Sequence, residues 1–242
     1  MKAAGLHPWR VSYRQAVAIQ ERLRKRLRLA PPRRPVRLLA AADVAYSRPT
    51  HRMYAAVVVV ALPSLEVVDR GEAALRARFP YIPGLFTFRE VPPLLKAFAR
   101  LRTLPDALLF DGHGLAHPRR FGLACHAGLL LGKPAVGCAK SRLVGEHAPV
   151  GPERGDRAAL VLNGETVGVA LRTRRGAKPV FVSPGHLADL RWATELVLAT
   201  TRFFRIPEPL RSAHHATTAL RRRLDPRAPR ARSRDYPDFV PE

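Results

Sequence analysis

The sequence predicts an α/β fold in which one mixed sheet is flanked by helices. Two observations carry that expectation. Short apolar runs of strand length are bounded by turn residues, and longer stretches with helical spacing lie between them. Size is the third observation. At 242 residues, 47% of them hydrophobic, the chain fits one large domain or two small ones and can bury a substantial core.

The elements follow in order. Val11 to Leu29 reads as a helix, with Ala16, Val17, Leu23, Leu27 and Ala30 near one face and Arg22, Arg24, Lys25, Arg26 and Arg28 over the remainder. Those cations suit either a solvated face or a phosphate-facing one. Pro31, Pro32 and Pro35 end the helix. Val36 to Tyr46, Met53 to Leu62 and Leu65 to Leu75 are three strands joined by short turns, an antiparallel meander. The first holds an acid, Asp43, and the second has valine at every position from Val57 to Val60. Phe79 to Leu85 is a loop stiffened by Pro80 and Pro83, from which Tyr81 projects. Phe88-Arg89-Glu90 opens a helix over Val91 to Leu101, with Pro92 and Pro93 in its first turn.

Ala107 to Phe110 is a buried fourth strand that ends on Asp111, followed by a turn containing Gly112 and Gly114. Arg119 to Leu131 reads as a helix with cations at its amino end, and Ala135 to Ala139 as a fifth strand ending at Lys140. Leu160 to Val167 is a hairpin turning at Asn163-Gly164. Val180 to Val182 is a short strand, and Ser183-Pro184 is expected to cap a helix from about Pro184 to Phe203. Pro207 and Pro209 break the chain before a last helix carrying His214 and His215. From Arg221 the composition turns to Arg, Pro, Asp and Ser. The expected division is therefore one domain over residues 1–220 and a mobile basic tail over 221–242.

Composition narrows the partner. The formal charge is +23, from 42 Lys and Arg against 19 Asp and Glu. Such a surplus favours a polyanion: nucleic acid first, an anionic membrane second. No apolar run reaches membrane-spanning length, and Met1 to Arg10 lacks the apolar core of a signal peptide. Cys125 and Cys138 have neither zinc-site nor disulfide-framework spacing. The expectation is a cytoplasmic protein with no membrane partner.

Three carboxylates stand out: Asp43 in the first strand, Glu90 at a helix start and Asp111 at the tip of the fourth strand. Meander, helix, parallel strand, helix, strand is the layout of ribonuclease H-like nucleases, with the first and fourth strands adjacent. Acids on neighbouring strands can hold one or two hard divalent cations. Lys140 and the pair Arg119-Arg120 could neutralise a phosphate beside them. Bland readings also exist. Asp-Gly is ordinary turn chemistry, Glu90 suits a helix start, and Tyr81 could pack on its prolines. His113, His126, His186 and His215 read as structural or surface residues, and both cysteines as core packing.

Over roughly Val36 to Thr217 the chain resembles the endonuclease V family. The resemblance rests on Asp43-Val44-Ala45-Tyr46, on Tyr81-Ile82-Pro83-Gly84 with Phe88-Arg89-Glu90, and on Asp111-Gly112-His113-Gly114 with Ala116-His117-Pro118-Arg119-Arg120. Gly137-Cys138-Ala139-Lys140-Ser141-Arg142-Leu143, Ser183-Pro184-Gly185-His186 and Pro207-Glu208-Pro209 complete it. It implies a magnesium-dependent repair endonuclease, with manganese able to substitute, that acts as a monomer on damaged DNA. Such an enzyme cuts the second phosphodiester 3′ to a deoxyinosine and leaves 3′-hydroxyl and 5′-phosphate. Carried onto this chain, Asp43 and Asp111 are metal ligands and Glu90 completes the site, directly or through water. Lys140 and His214 flank the reacting phosphate. Tyr81, Ile82 and Pro83 form a wedge that fills the gap left by the displaced base. Gly84, Leu85, Gly114 and His117 shape the lesion pocket, with Arg119 counted among the DNA contacts. Two alternatives stand beside this reading: a preference for inosine-containing RNA, and a non-catalytic basic nucleic-acid binder.

Overall fold

The computed structural model describes residues 1–225. An eight-stranded mixed sheet runs through the molecule in the order β3-β2-β1-β4-β5-β8-β7-β6. The strands are β1 (Leu38–Ser47), β2 (Arg52–Ala61), β3 (Val67–Arg76), β4 (Ala107–Phe110), β5 (Ala135–Ala139), β6 (Arg157–Leu162), β7 (Glu165–Leu171) and β8 (Val180–Pro184). The helices are α1 (Tyr13–Arg24), α2 (Thr87–Ala99), α3 (Leu123–Leu131), α4 (Leu190–Ala199) and α5 (Glu208–Leu224). The expected meander is present: β1 pairs antiparallel with β2, and β2 with β3. β1 also pairs in parallel with β4, from Leu39 against Ala107 to Ala42 against Phe110.

Alternation along the strands builds two cores. Leu39, Ala41, Val58 and Leu109 face α4 and α5, whereas Ala40, Val57, Leu108 and Phe110 face α2 and α3. A sheet covered on both faces needs continuous apolar strands, which is why β4 and β5 are buried throughout. α1 closes one end of the molecule by burying Ala16, Ile19, Gln20 and Leu23, spaced as one helical face. Ser12 caps it in a reciprocal box with Gln15.

Four expectations need correction. α2 begins at Thr87, so Pro92 and Pro93 lie inside the helix rather than in its first turn. They remove the N–H groups that would reach the carbonyls of Phe88 and Arg89. α3 begins at Leu123 behind Gly122, because the chain from Arg119 to Phe121 is still turning; Arg120 has φ 52°. Ser183 and Pro184 lie in β8, paired with Gly137 and Val136 of β5. The helix after them is capped by Asp189, whose carboxylate accepts from Trp192 N. Finally, α5 continues to Leu224, so the expected tail begins as helix. Asp225 is buried and accepts hydrogen bonds from Ser47 Oγ at 2.5 Å, Thr50 Oγ1 at 3.1 Å and Tyr54 Oη at 3.5 Å. These bonds hold its carboxyl below the ordinary range, Ser47 contributing most. The rest of the expected tail, residues 226–242, lies outside the described residues.

Several histidines are buried as neutral rings. Burial lowers the pKa of His113 to about 4, and burial followed by the Arg119 charge lowers that of His117 to about 3. His126 is fully buried, and its Nε2 lies 2.7 Å from His7 Nε2 on the amino-terminal segment. Unfolding returns such rings to about 6.5. Below that pH the unfolded chain therefore binds more protons than the folded one. The stability these neutral rings contribute is complete above about pH 7 and declines as pH falls toward 4 and then 3. Urea unfolding at a series of pH values should show the midpoint dropping across this window. A midpoint constant between about pH 7 and 4.5 would contradict neutral burial.

Candidate active site

The site begins with the parallel pairing of β1 and β4. Ala42 is level with Phe110, so the next residues, Asp43 and Asp111, emerge side by side; Asp111 N also reaches Ala42 O at 3.4 Å. Asp43 lies inside β1, held on both sides, and Asp111 ends β4 where the chain turns into Gly112.

Each acid faces one basic side chain. Lys140, the residue after β5, places Nζ 2.5 Å from Asp111 Oδ2, and His214 of α5 places Nδ1 3.1 Å from Asp43 Oδ2. The side chains of Asp43 and Asp111 are 11% and 20% exposed, those of His214 and Lys140 56% and 48%, so the negative charge is recessed beneath a positive rim. Burial raises the Asp111 pKa, Lys140 works against it, and the Asp43 charge adds to the rise. For Lys140, burial opposes the charge, but neighbouring Asp111 outweighs it and holds the ammonium above its ordinary range. The bond to Asp43 raises the His214 pKa against the effect of burial.

Glu90 stands in the first turn of α2. Among the described residues, no three His, Cys, Asp or Glu side chains converge as a metal-holding group. The structure thus brings Asp43, Asp111, Lys140 and His214 together, while the Glu90 charge is felt at Tyr81. The Tyr81 hydroxyl is pushed upward by burial and then by Glu90. An oxygen-only pair of recessed carboxylates is the donor chemistry of a hard divalent cation.

The residues expected to form a lesion pocket make a second group. Ile82, Pro83, Gly84 and Leu85 make a type II turn, with Leu85 N bonded to Ile82 O at 3.0 Å and Gly84 at φ 74°, where glycine is favoured. Leu85 is buried, whereas Tyr81 is exposed with its ring 4.5 Å from that of Phe86. Arg89 stacks its guanidinium 4.1 Å over Tyr46, next to this loop. Gly84 O accepts from His117 Nε2 at 3.0 Å and from Arg119 Nη2 at 2.7 Å. His117 Nδ1 accepts from Arg119 N at 3.2 Å, so the ring is the neutral Nε2–H tautomer. Gly114 lies where a Cβ would meet Pro184 O at 2.1 Å, and its N–H donates to Ser183 Oγ at 2.8 Å.

The arginine pair serves other ends than the acids. Arg119 is committed to Gly84 O and Gln20, and Arg120 to Leu162 O and Glu165. Sequence reasoning missed Gln20 and Ser183. Gln20 carries a legible signal, a polar residue on the buried face of α1. Ser183 was misread because Ser-Pro imitates a helix start. Both cysteines are buried, and burial raises the Cys125 thiol to about 12, far from nucleophilic.

A family model described as Endonuclease V matches residues 21–215. The chain belongs to the endonuclease V family. An endonuclease V of Myxococcus xanthus is 48% identical over 215 residues, which is 88% of this chain and 92% of that protein. The crystal structure of an endonuclease V from Streptomyces avermitilis superposes with a TM-score of 0.84 at 41% identity, covering 90% of this chain and 95% of that one. An endonuclease V of Ciona intestinalis was crystallised with a 24mer DNA containing an inosine followed by a ribo-adenosine. It superposes with a TM-score of 0.76 at 25% identity, over 88% of this chain and 98% of that one. The sheet described above is accordingly the ribonuclease H-like fold of endonuclease V, and the chain is a nuclease. No helix among the described residues is long and apolar enough to cross a membrane.

Asp43→Asn and Asp111→Asn each remove one recessed charge and almost no volume. Either should lower strand cleavage by at least about a hundredfold while the melting temperature holds. Cleavage near the wild-type rate by a folded variant would remove that acid from the chemistry.

Proposed function

We propose that this chain is a magnesium-dependent endonuclease that recognises deoxyinosine in DNA and cuts the second phosphodiester on its 3′ side, leaving 3′-hydroxyl and 5′-phosphate. The observation that carries the reading is the recessed Asp43–Asp111 pair under the cationic rim of Lys140 and His214. Binding to nucleic acid alone would not reward two acids facing a polyanion. The Ciona relative, crystallised with inosine-containing DNA, supports the substrate class.

In this reading Asp43 and Asp111 would hold the divalent cation, magnesium or manganese, with Glu90 completing the acid set at longer reach. When bound, the cation supplies Lewis-acid charge at the phosphate and a more acidic water. The protein's own residues do the remainder. Lys140 and His214 stand where they can offset charge on the reacting phosphate, in a geometry already set by their carboxylate partners. Tyr81, Ile82 and Pro83 enter the gap left by the displaced base, and Gly84, Leu85, Gly114 and His117 line the pocket that receives it, with Arg119 holding its wall. Extruding a base costs a few kcal/mol, least for a mispaired or damaged one, which makes the cost itself selective. The protein acts as a monomer in the cytoplasm.

A second reading, inosine in RNA, draws on the ribo-adenosine in the Ciona complex. Cleavage assays on inosine-containing DNA and RNA strands, in magnesium and then in EDTA, separate the possibilities. We expect metal-dependent cleavage of the DNA strand. Faster cleavage of RNA would favour the second reading, and no cleavage of either would refute both. Tyr81→Ala tests the wedge. It should weaken binding to an inosine duplex by roughly five- to hundredfold, the value of about 1–3 kcal/mol of stacking, with a smaller loss on single strands. Equal duplex affinity would leave Tyr81 as a packing residue.

A further inference from the structure

We propose that Gln20 is a positioning residue for lesion recognition: its buried carboxamide fixes the turn that presents Tyr81. The inference rests on the recognition role proposed above for Tyr81. Gln20 belongs to α1 and lies just before the stretch matched by the family model.

Gln20 is fully buried, a position where an amide is costly unless its polar atoms are satisfied. Here they are. Nε2 donates to Gly84 O at 3.1 Å and to Phe121 O at 3.4 Å, and Oε1 accepts from Arg119 Nε at 2.6 Å. The orientation of the amide is fixed by its partners. Two carbonyls can only accept and a guanidinium can only donate, so exchanging oxygen and nitrogen would oppose like with like on all three sides.

The three partners come from two segments, and Gln20 of α1 bonds to both. Gly84 belongs to the Ile82–Leu85 turn, and its carbonyl shares a peptide unit with the Leu85 N–H that closes that turn on Ile82. Arg119 and Phe121 belong to the loop that carries His117. Gln20 therefore acts on Gly84 twice: directly, and through Arg119, whose Nη2 also reaches Gly84 O. With His117, three donors converge on that single oxygen. They set the peptide plane, and the plane sets the direction in which Tyr81 leaves the turn. A purely packing role would be met by leucine or methionine, and the neighbouring face positions Ala16, Ile19 and Leu23 are filled by such apolar residues.

Gln20→Met keeps the volume and makes none of the three bonds. Gln20→Glu keeps the acceptor for Arg119 and loses both donors. We expect each to lower preference for an inosine duplex over an undamaged one by about tenfold, measured without divalent cation. KM should rise while kcat at saturation holds, because Asp43, Asp111, Lys140 and His214 are untouched. The losses should be much smaller in a Tyr81→Ala background, since a wedge already removed cannot be misdirected. Losses that add in full, unchanged preference, or a fall in kcat alone would each overturn the proposal. In the wild-type protein the Leu85 amide should exchange slowly with solvent. Free exchange there would overturn it whatever the variants do, even if Gln20→Met fails to fold. If the wild-type protein shows no preference for the inosine duplex, the proposed substrate fails first, and the Leu85 amide still reports whether the turn is held.

Discussion

Two carboxylates stand side by side on neighbouring parallel strands, which are spaced about 4.8 Å apart, and their charges repel. Everything around them answers that repulsion. Strand pairing fixes where Asp43 and Asp111 must be, so they cannot relax by moving apart. Burial makes the charge harder to bear, as the raised pKa of Asp111 shows. Lys140 and His214 offset it from two further elements, β5 and α5. The sheet order that looks like architecture is thus also an electrostatic arrangement, since β1, β4 and β5 must be consecutive for acid, acid and lysine to meet. A polar cluster of this kind gains little stability from its ion pairs. Its value is preorganisation, because groups held by a rigid sheet do not have to be reordered when a substrate phosphate arrives.

The Ile82–Leu85 turn is built on a different logic. It has no strand ladder to hold it, so its shape comes from Pro83, from a glycine at positive φ, and from donors converging on one carbonyl. Its stiffness is therefore distributed over α1, the loop around His117 and the turn itself. The acid pair and this turn are mechanically separate, one anchored by backbone pairing and the other by side chains.

Much of this was legible in the sequence because the governing signals are local. The apolar runs of β1, β2, β4 and β5 and the Asn163-Gly164 turn mark themselves, as do the acids at strand positions where acids are unexpected. What escaped depends on distant partners. Pro92 and Pro93 resemble first-turn prolines until Phe86 is seen to start the helix earlier. Ser183-Pro184 resembles a cap until β5 claims it as a strand. Arg119 and Arg120 look like phosphate ligands until Gln20 and Glu165 are found beside them. The convergence of Asp43 with Asp111 followed from predicted topology, whereas the packing of α2, which carries Glu90, did not.

The Asp225 clamp bears on how the last helix is held. Its carboxylate accepts from Ser47, roughly 14 Å along β1 from Asp43, so the end of α5 is tied to the strand that carries the first acid. α5 is thereby fastened to β1 at two places, at its end through Asp225 and midway through the His214–Asp43 contact. Loosening the clamp would free one end of the helix that carries His214 while leaving both acids in place.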